Sequence, residues 1–213
     1  TTGEAPNDFF GASAAGAGDV NGDGYADIVV GANGYNGNAG KVYVFHGSAG
    51  GIIGTAAAPA WSVEGEGPGN QFGYSAAGAG DVNGDGYADL VAGAYAYNSL
   101  TGKVYVFQGG PSGVTGTAAA PAWSADGETG GRGFGFSVAG AGDVNGDGFA
   151  DVVVGSHLYN SWQGKVYVFQ GSAGGVTGTA AAPAWSATGE ATNDFFGYPV
   201  AGAGDVDGDG YAD

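Results

Sequence analysis

Four short acidic stretches of the chain share one spacing of oxygen-bearing residues. They read GAGDVNGDGYAD from Gly16, GAGDVNGDGYAD from Gly78, GAGDVNGDGFAD from Gly140 and GAGDVDGDGYAD from Gly202. Side-chain oxygens recur at positions 1, 3, 5 and 9 of a nine-residue loop, and the glycines between them permit a tight turn. Hard oxygen donors in this number suit calcium better than a transition metal. The stretches therefore predict calcium-binding loops.

Each loop is expected to hold about one calcium ion, up to four in the chain. The ligands would be the side chains at positions 1, 3, 5 and 9 and the backbone carbonyl at position 7, which lets position 7 alternate between Tyr and Phe. The candidate metal ligands are Asp19, Asn21, Asp23, Tyr25 and Asp27; Asp81, Asn83, Asp85, Tyr87 and Asp89; Asp143, Asn145, Asp147, Phe149 and Asp151; and Asp205, Asp207, Asp209, Tyr211 and Asp213.

The charge of the chain is concentrated in these loops. The formal net charge is -17, and 13 of the 16 aspartates lie in the four stretches, where like charges repel unless a cation neutralises them. Four calcium ions would bring the sum to about -9. The plainer alternative is a set of metal-free Asp/Asn/Gly turns, since such residues favour turns on their own. Four copies of one constellation favour the metal.

Two other calcium motifs do not fit. An EF-hand loop begins in the same way but needs Glu at position 12 and flanking helices. Position 12 is Val30, Ala92 and Val154 in the first three copies, each inside an apolar, strand-like run. Tandem nine-residue calcium repeats fail because the loops are 62 residues apart.

The period of 62 residues extends beyond the loops. It also aligns GKVYVFHG or GKVYVFQG (from residues 40, 102 and 164) and PAWS (from residues 59, 121 and 183). A fixed period of this length indicates tandem supersecondary units. We therefore expect a single repeat domain, 1–213, with repeats at approximately 1–62, 63–124 and 125–186 and a partial repeat at 187–213.

Each repeat is expected to contain four short strands. In the second repeat, small residues in 71–80, an apolar run at 88–94, the alternating GKVYVFQG and a last segment at 121–128 predict strands, with turn residues between Asn98 and Gly102. No helical period is present. The fold class is thus all-β, made of four-stranded antiparallel sheets arranged as β-propeller blades. The strand of small residues would face the axis, where blades approach closely.

These motifs resemble FG-GAP repeats, the calcium-loop blades of integrin α propellers and of many bacterial surface proteins. The resemblance is carried by FG at residues 10, 72, 134 and 196, by the DxNxDGxxD loops, by GA after the second strand and by GKVYVF. It implies loops that join strands one and two and line one face of a seven-bladed propeller. The chain departs from the pattern at Ser156, at Asp207 and in lacking Pro after GA.

Composition narrows the function classes. There is no cysteine for a disulfide or thiolate site, no apolar run that would insert into a membrane and no basic patch for nucleic acid. The absence of an initiator Met indicates a mature or excised piece. With the carboxylates committed to metal and no nucleophile set evident, the chain is predicted not to be an enzyme itself, although a fragment of a larger enzyme stays open. The need for extracellular calcium levels predicts a secreted or cell-surface location.

Several other residues recur in register. The tryptophans of PAWS are interpreted as wedges between blades, and the lysines of GKVYVF as packed, locally charge-balancing residues. Asn36, Asn98 and Asn160 are interpreted as turn formers. His46 and His157 occupy non-equivalent places and have no nucleophile partner at a suitable spacing. The tryptophans are Trp61, Trp123 and Trp185, and the lysines are Lys41, Lys103 and Lys165.

The repeats differ most in the loops after strand two and before FG. There Tyr95, Tyr97, Tyr159 and Trp162 could stack on a glycan or contact a protein, or could simply cover a blade edge. Three blades should not close a ring. We expect a partial propeller or open array completed by the rest of a longer chain or by further copies. The regular copies favour a structural or adhesive role in a surface protein or filament. The alternative is an integrin-like module that binds a protein or glycan.

Overall fold

The computed structural model describes residues 2–213; Thr1, which opens the predicted first repeat, lies outside the described residues. The described part contains three antiparallel sheets of four strands each, with strands in sequence order across every sheet. The first sheet comprises β1 (Phe10–Gly18), β2 (Asp27–Ala32), β3 (Lys41–Phe45) and β4 (Trp61–Glu64). The second comprises β5 (Ser75–Gly80), β6 (Asp89–Ala94), β7 (Lys103–Phe107) and β8 (Trp123–Asp126), and the third β9 (Ser137–Gly142), β10 (Asp151–Ser156), β11 (Lys165–Phe169) and β12 (Trp185–Thr188).

The two middle strands of each sheet carry the core. In the second sheet β6 pairs with β7, and every residue of β6 is buried. The rings of Tyr105 and Phe107 stack on one face of β7 with centroids 6.3 Å apart, while Val104 and Val106 are buried on the other. Both faces are apolar because the sheets pack face to face. The all-β fold and the arrangement as propeller blades are confirmed, and the three blades form an open array.

The first strands of the sheets approach one another closely, as their small residues predict. β5 packs between β1 and β9. A Cβ atom added to Gly78 would lie 2.9 Å from the carbonyl oxygen of Gly16, and one added to Gly140 would lie 2.9 Å from that of Ala79. Side chains larger than hydrogen cannot occupy these places without separating the blades.

The strands are shorter than the sequence segments that predicted them. β5 begins at Ser75, after Gln71 with φ 55° and Gly73 with φ 75°. Positive φ values are incompatible with an extended strand, so the FG segment forms a turn. The amide of Gly73 donates a hydrogen bond to the carbonyl of Gly93 at 3.0 Å, which ties this turn to the end of β6.

A four-residue helix follows the second strand of each sheet: α1 (Tyr35–Asn38), α2 (Tyr97–Leu100) and α3 (Tyr159–Trp162). Sequence periodicity did not predict helix here, and each is a single turn with left-handed residues inside. The φ of Asn36, Asn98 and Asn160 is 48°, 46° and 46°, which confirms these residues as turn formers. No helix within residues 2–213 has the length and apolar character needed to cross a bilayer.

Tryptophan rings join successive blades. Trp61 at the start of β4 packs on Phe107 of the next blade, with ring centroids 5.2 Å apart, and Trp123 packs on Phe169 at 5.1 Å. Trp185, at the same place in the third blade, is 53% exposed. The wedge interpretation is confirmed for the two joints that the described residues contain.

Candidate metal centre

Each of the first three acidic loops connects the first and second strands of a blade. In the first blade β1 ends at Gly18 and β2 begins at Asp27, so the loop spans the gap between two hydrogen-bonded strands. The strand-one to strand-two placement implied by the resemblance is confirmed. The loop turns back on itself through Gly22 and Gly24, whose φ values are 74° and 86°. This left-handed conformation is available to glycine at little cost.

The carboxylate at position 1 organises the loop backbone. Asp19 Oδ1 accepts hydrogen bonds from the amides of Gly22 and Asp23 at 2.7 and 3.1 Å, and Oδ2 accepts one from Gly24 at 2.8 Å. Partial burial would raise the pKa of Asp19, but backbone hydrogen bonds to the charged form outweigh that effect and lower it. The same three bonds recur at Asp81, Asp143 and Asp205.

Positions 3 and 5 lie side by side. Asn21 Oδ1 accepts a hydrogen bond from the amide of Asp23 at 3.1 Å, and Asn21 Nδ2 donates one to Asp23 Oδ2 at 3.0 Å. In the fourth loop position 3 is Asp207, which lacks the side-chain amide that donates to the position 5 carboxylate in the other loops. Carboxylate oxygens of Asp205, Asp207 and Asp209 all lie within 4.8 Å of one another. Oxygens bound to one calcium ion are separated by at most about 5 Å.

The carboxylate at position 9 is buried beneath the loop in the first three copies, at Asp27, Asp89 and Asp151, whereas Asp213 of the fourth loop is exposed. Asp89 is fully buried, and its two oxygens accept hydrogen bonds from the amides of Val82 and Gly109, both at 2.9 Å. Burial raises the pKa of Asp89 to about 6, although the two hydrogen bonds oppose the shift. Burial likewise raises the pKa of Asp151. A buried carboxylate at the base of a charged loop favours a bound cation or a proton.

The aromatic ring at position 7 connects consecutive loops. A Cβ atom added to Gly22 would lie 2.6 Å from Cε1 of Tyr87, and one added to Gly84 would lie 2.6 Å from Cε1 of Phe149. The amide of Ala88 also donates a hydrogen bond to the carbonyl of Asp19 at 3.0 Å. Sequence reasoning assigned position 7 only a backbone role and missed that its ring covers the preceding loop.

Two further sets of residues around the loops were not predicted. Gly47, Gly109 and Gly171 bind the position 9 carboxylates, at 2.7, 2.9 and 2.9 Å. These glycines were recognisable in the sequence because each is the last residue of a repeated GKVYVFHG or GKVYVFQG segment. His46, for which the sequence suggested no nucleophile partner, lies with Nδ1 3.2 Å from Asn21 Nδ2.

The repeated lysines confirm their charge-balancing interpretation, with partners that were not foreseen. Lys103 Nζ lies 2.6 Å from Oε1 of Glu66, which also accepts a 3.0 Å hydrogen bond from the Tyr105 hydroxyl. The Lys103 ammonium lies over the rings of Tyr97 and Tyr105. Equivalent clusters form around Lys41 with Glu4 and around Lys165 with Glu128. The glutamates were recognisable in sequence from the GE dipeptide that recurs in register.

The aromatic residues of the variable loops fall into two groups. Tyr95 packs between Tyr74 and Phe136, with centroids 4.6 and 5.1 Å away, and Tyr97 and Tyr159 lie beneath the lysines. These three stabilise the blades. Trp162 differs, because it is 50% exposed.

Four-stranded blades with an acidic loop between strands one and two define a protein built from β-propeller units. The FG-GAP repeat model matches residues 10–45, 72–107 and 134–169, which make up just over half of the chain. Each match runs from the FG segment through the third strand and includes the acidic loop. The chain belongs to the FG-GAP repeat family.

The chain is also similar to integrin α subunits. It is 33% identical over 216 residues to integrin alpha-5 of Xenopus laevis, covering 96% of this chain and 19% of that protein. It is 34% identical over 229 residues to integrin alpha pat-2 of Caenorhabditis briggsae, covering 99% and 18%, and 43% identical over 164 residues to integrin alpha-3 of Cricetulus griseus, covering 71% and 14%. The chain thus spans about a fifth or less of the length of these relatives.

Proposed function

We propose that the chain is a calcium-stabilised extracellular FG-GAP repeat protein with a structural or adhesive role in a cell-surface protein or filament. The observation that carries the proposal is the shared geometry of the four loops. In each, the first aspartate folds the loop backbone around its carboxylate, and in the fourth loop three carboxylates lie within 4.8 Å of one another. Like charges held this closely repel, and a divalent cation removes the repulsion.

Calcium would bind the loop through oxygens at positions 1, 3, 5, 7 and 9, with position 9 contributed by Asp27, Asp89, Asp151 and Asp213. Bound there, the ion would clamp the hairpin between strands one and two. Because the ring at position 7 packs on the preceding loop, each ion would also stabilise the joint between neighbouring blades. Loops of this kind need the calcium levels found outside cells, which supports an extracellular location.

A further FG-GAP blade is the partner that best fits the outer face of the first blade. Phe10, Ile28, Val30, Phe45 and Ile52 line an apolar groove on that face. In the next two blades the residues equivalent to Phe45 are covered by the tryptophan of the preceding blade. The covering blade could belong to the same longer chain or to another copy, and both would extend the array.

A second candidate function is an integrin-like binding module that recognises a protein or glycan through its variable loops. It is favoured by the similarity to integrin α subunits and by the exposure of Trp162. Neither candidate requires enzymatic activity, because the clustered carboxylates are assigned to metal. Neither is expected to bind nucleic acid, since the three lysines are paired with glutamates.

Calcium-dependent unfolding tests the proposal. We expect the melting temperature to rise with calcium and to fall with a chelator, and the rise to be smaller in Asp81→Asn. Asp126→Asn is the matched control, because Asp126 lies outside the loops and its carboxylate, 58% exposed, makes only a 3.9 Å contact with Lys103. Equal melting temperatures with and without calcium would contradict the calcium role. Light scattering under the same conditions would separate an elongated array from a compact binding module.

A further inference from the structure

A small polar pocket lies at the edge of the third blade opposite its metal loop. It is lined by Gly130, Arg132, Leu158, Asn160, Ser161 and Trp162 and has a volume of about 290 Å³. The loop before FG contributes the first two residues, and the turn after strand two contributes the others. Antiparallel strands place these two connections at one edge and the metal loop at the other. The pocket is therefore separate from the candidate metal centre.

Arg132 gives the pocket an unbalanced positive charge. It is the only arginine of the sequence, in a chain of net charge -17. The three lysines each contact a glutamate within 2.6 Å, whereas Arg132 is exposed and forms no ion pair with any described residue. Its backbone is fixed by a 2.8 Å hydrogen bond from Ser156 Oγ to its carbonyl. The guanidinium is thus available to an anionic ligand.

The backbone of Trp162 has an unfavourable conformation. Its φ is 67°, in the left-handed region that bulky residues rarely adopt. The corresponding residue of the first repeat is Asn38, with φ 63°, and asparagine tolerates this region well. The indole stacks on Phe195 with centroids 5.7 Å apart and planes inclined by 27°, yet half of its surface stays exposed. Backbone geometry therefore does not explain the choice of tryptophan.

Comparison between repeats isolates the residues that could bind a ligand. The positions equivalent to those of the pocket carry Asn and Ser again at residues 98 and 99 of the second repeat. They carry Pro68 in place of Gly130, Asn70 in place of Arg132, Ala96 in place of Leu158 and Leu100 in place of Trp162. Residues that shape the turn are thus repeated, whereas the cation and the large ring belong to the third repeat alone.

We propose that this pocket binds a carboxylate-bearing sugar residue of an acidic glycan. The Arg132 guanidinium would pair with the carboxylate, ideally through two parallel hydrogen bonds. The exposed indole face would stack on the C–H face of the sugar ring, and Ser161 and Asn160 would bind its hydroxyls. A flat ring beside a cation, in a pocket that admits a single sugar ring, favours a sugar over an acidic peptide. The inference rests on the binding-module form of the proposed function.

The test compares two oligosaccharides that differ only in their terminal residue, glucuronate in one and glucose in the other. Calorimetric titration should show at least about tenfold tighter binding of the glucuronate form, as expected for a hydrogen-bonded charge pair. Arg132→Asn should abolish that preference, and Trp162→Leu should weaken binding of both sugars. Each variant installs the residue of the second repeat, so the scaffold already accommodates it.

A transplant provides the complementary measurement. Asn70→Arg combined with Pro68→Gly, Ala96→Leu and Leu100→Trp should create a second pocket and raise the stoichiometry from one to two sugars per chain. Equal affinity for the two sugars, an unchanged preference in Arg132→Asn, or tighter binding of an aspartate-terminated peptide would each overturn the proposal. The melting temperature with and without calcium should be recorded on the same samples. Loss of its calcium dependence would contradict the calcium role, whereas the sugar titrations alone test the pocket, so the two failures are distinguishable.

Discussion

The backbone amide of Gly109 donates a 2.9 Å hydrogen bond to Oδ1 of Asp89, the buried carboxylate beneath the second acidic loop. Gly109 follows the third strand of the blade, so this bond ties that strand to the base of the loop. The other oxygen of Asp89 accepts from Val82, inside the loop itself. One carboxylate thus connects three successive strands to the candidate metal centre.

Gly109→Ala should destabilise the chain by about 1–3 kcal/mol, the usual cost of overpacking a tight site. The added Cβ would lie 2.3 Å from the carbonyl oxygen of Ala88 and 2.8 Å from that of Val20. Both atoms belong to backbone and cannot rotate away. Gly110→Ala is the control, because the nearest atom to its Cβ is the Gly113 carbonyl oxygen at 3.9 Å. Urea denaturation would measure the difference, and similar values for both variants would contradict the prediction.

Asn83→Asp should have opposite effects with and without calcium. The amide of Asn83 donates a 3.0 Å hydrogen bond to Asp85, which a carboxylate cannot do, so the metal-free chain should lose about 0.5–2 kcal/mol of stability. An added charged ligand should tighten calcium binding, since ligand charge tunes the affinity of calcium loops.

Asp207→Asn in the fourth loop is the reverse change and should weaken calcium binding. Calcium titration followed by calorimetry, together with denaturation in a chelator, would measure both effects. A calcium affinity of the Asn83→Asp chain at or below that of the unchanged protein would contradict the ligand assignment of position 3.

Trp123→Ala should cost about 2–3 kcal/mol of unfolding free energy, because it removes the ring that packs on Phe169 across a blade joint. The cost is below that of a fully buried ring because Trp123 is only partly buried. Trp185→Ala is the matched control. Its ring occupies the same place in the third blade but is 53% exposed, so its loss should cost much less. Chemical denaturation of both variants would test this ranking, and a larger effect at Trp185 would refute the wedge interpretation.

Glu66→Gln should destabilise the chain by about 0.5–1 kcal/mol, a modest amount because the ion pair is partly exposed to solvent. The change removes the charge that lies 2.6 Å from Lys103 Nζ. Burial would lower the pKa of Lys103, but the hydrogen bond and the charge of Glu66 outweigh it and raise the pKa. In the variant that pKa should fall, which NMR titration of the lysine would detect.

Glu190→Gln is the control for that change, because the equivalent glutamate of the partial repeat forms no ion pair among residues 2–213. Its stability should be unchanged. An equal loss in both variants would mean that the Lys103 contact contributes nothing.

Much of the fold followed from local patterns. The alternation in KVYVF predicted a strand with two buried faces, and the left-handed turn at Asn98 followed from a residue type that tolerates positive φ. The loop aspartates were recognisable because all their spacings lie within nine residues. Such features depend on near neighbours in sequence.

Features that depend on distant residues were missed. Glu66 reaches Lys103 across 37 residues, and the contact of Tyr87 with Gly22 joins two different repeats. The segment from Val200 to Gly204 resembles β5 and β9 in composition but is not a strand. A strand exists only when another strand pairs with it, and no described strand pairs with this segment, which exchanges backbone-to-backbone hydrogen bonds only with Asp213, at Ala203 and Gly204.

The joint between Trp61 and Phe107 is chemically the same as the joint between Trp123 and Phe169. Removing residues 63–124 would therefore bring Trp61 against Phe169 through an interface that already exists, and duplicating those residues would add one more such interface. Recombination between the similar repeats could thus lengthen or shorten the protein by whole blades. Natural selection could then change the length of the array while every interface between blades kept the same contacts.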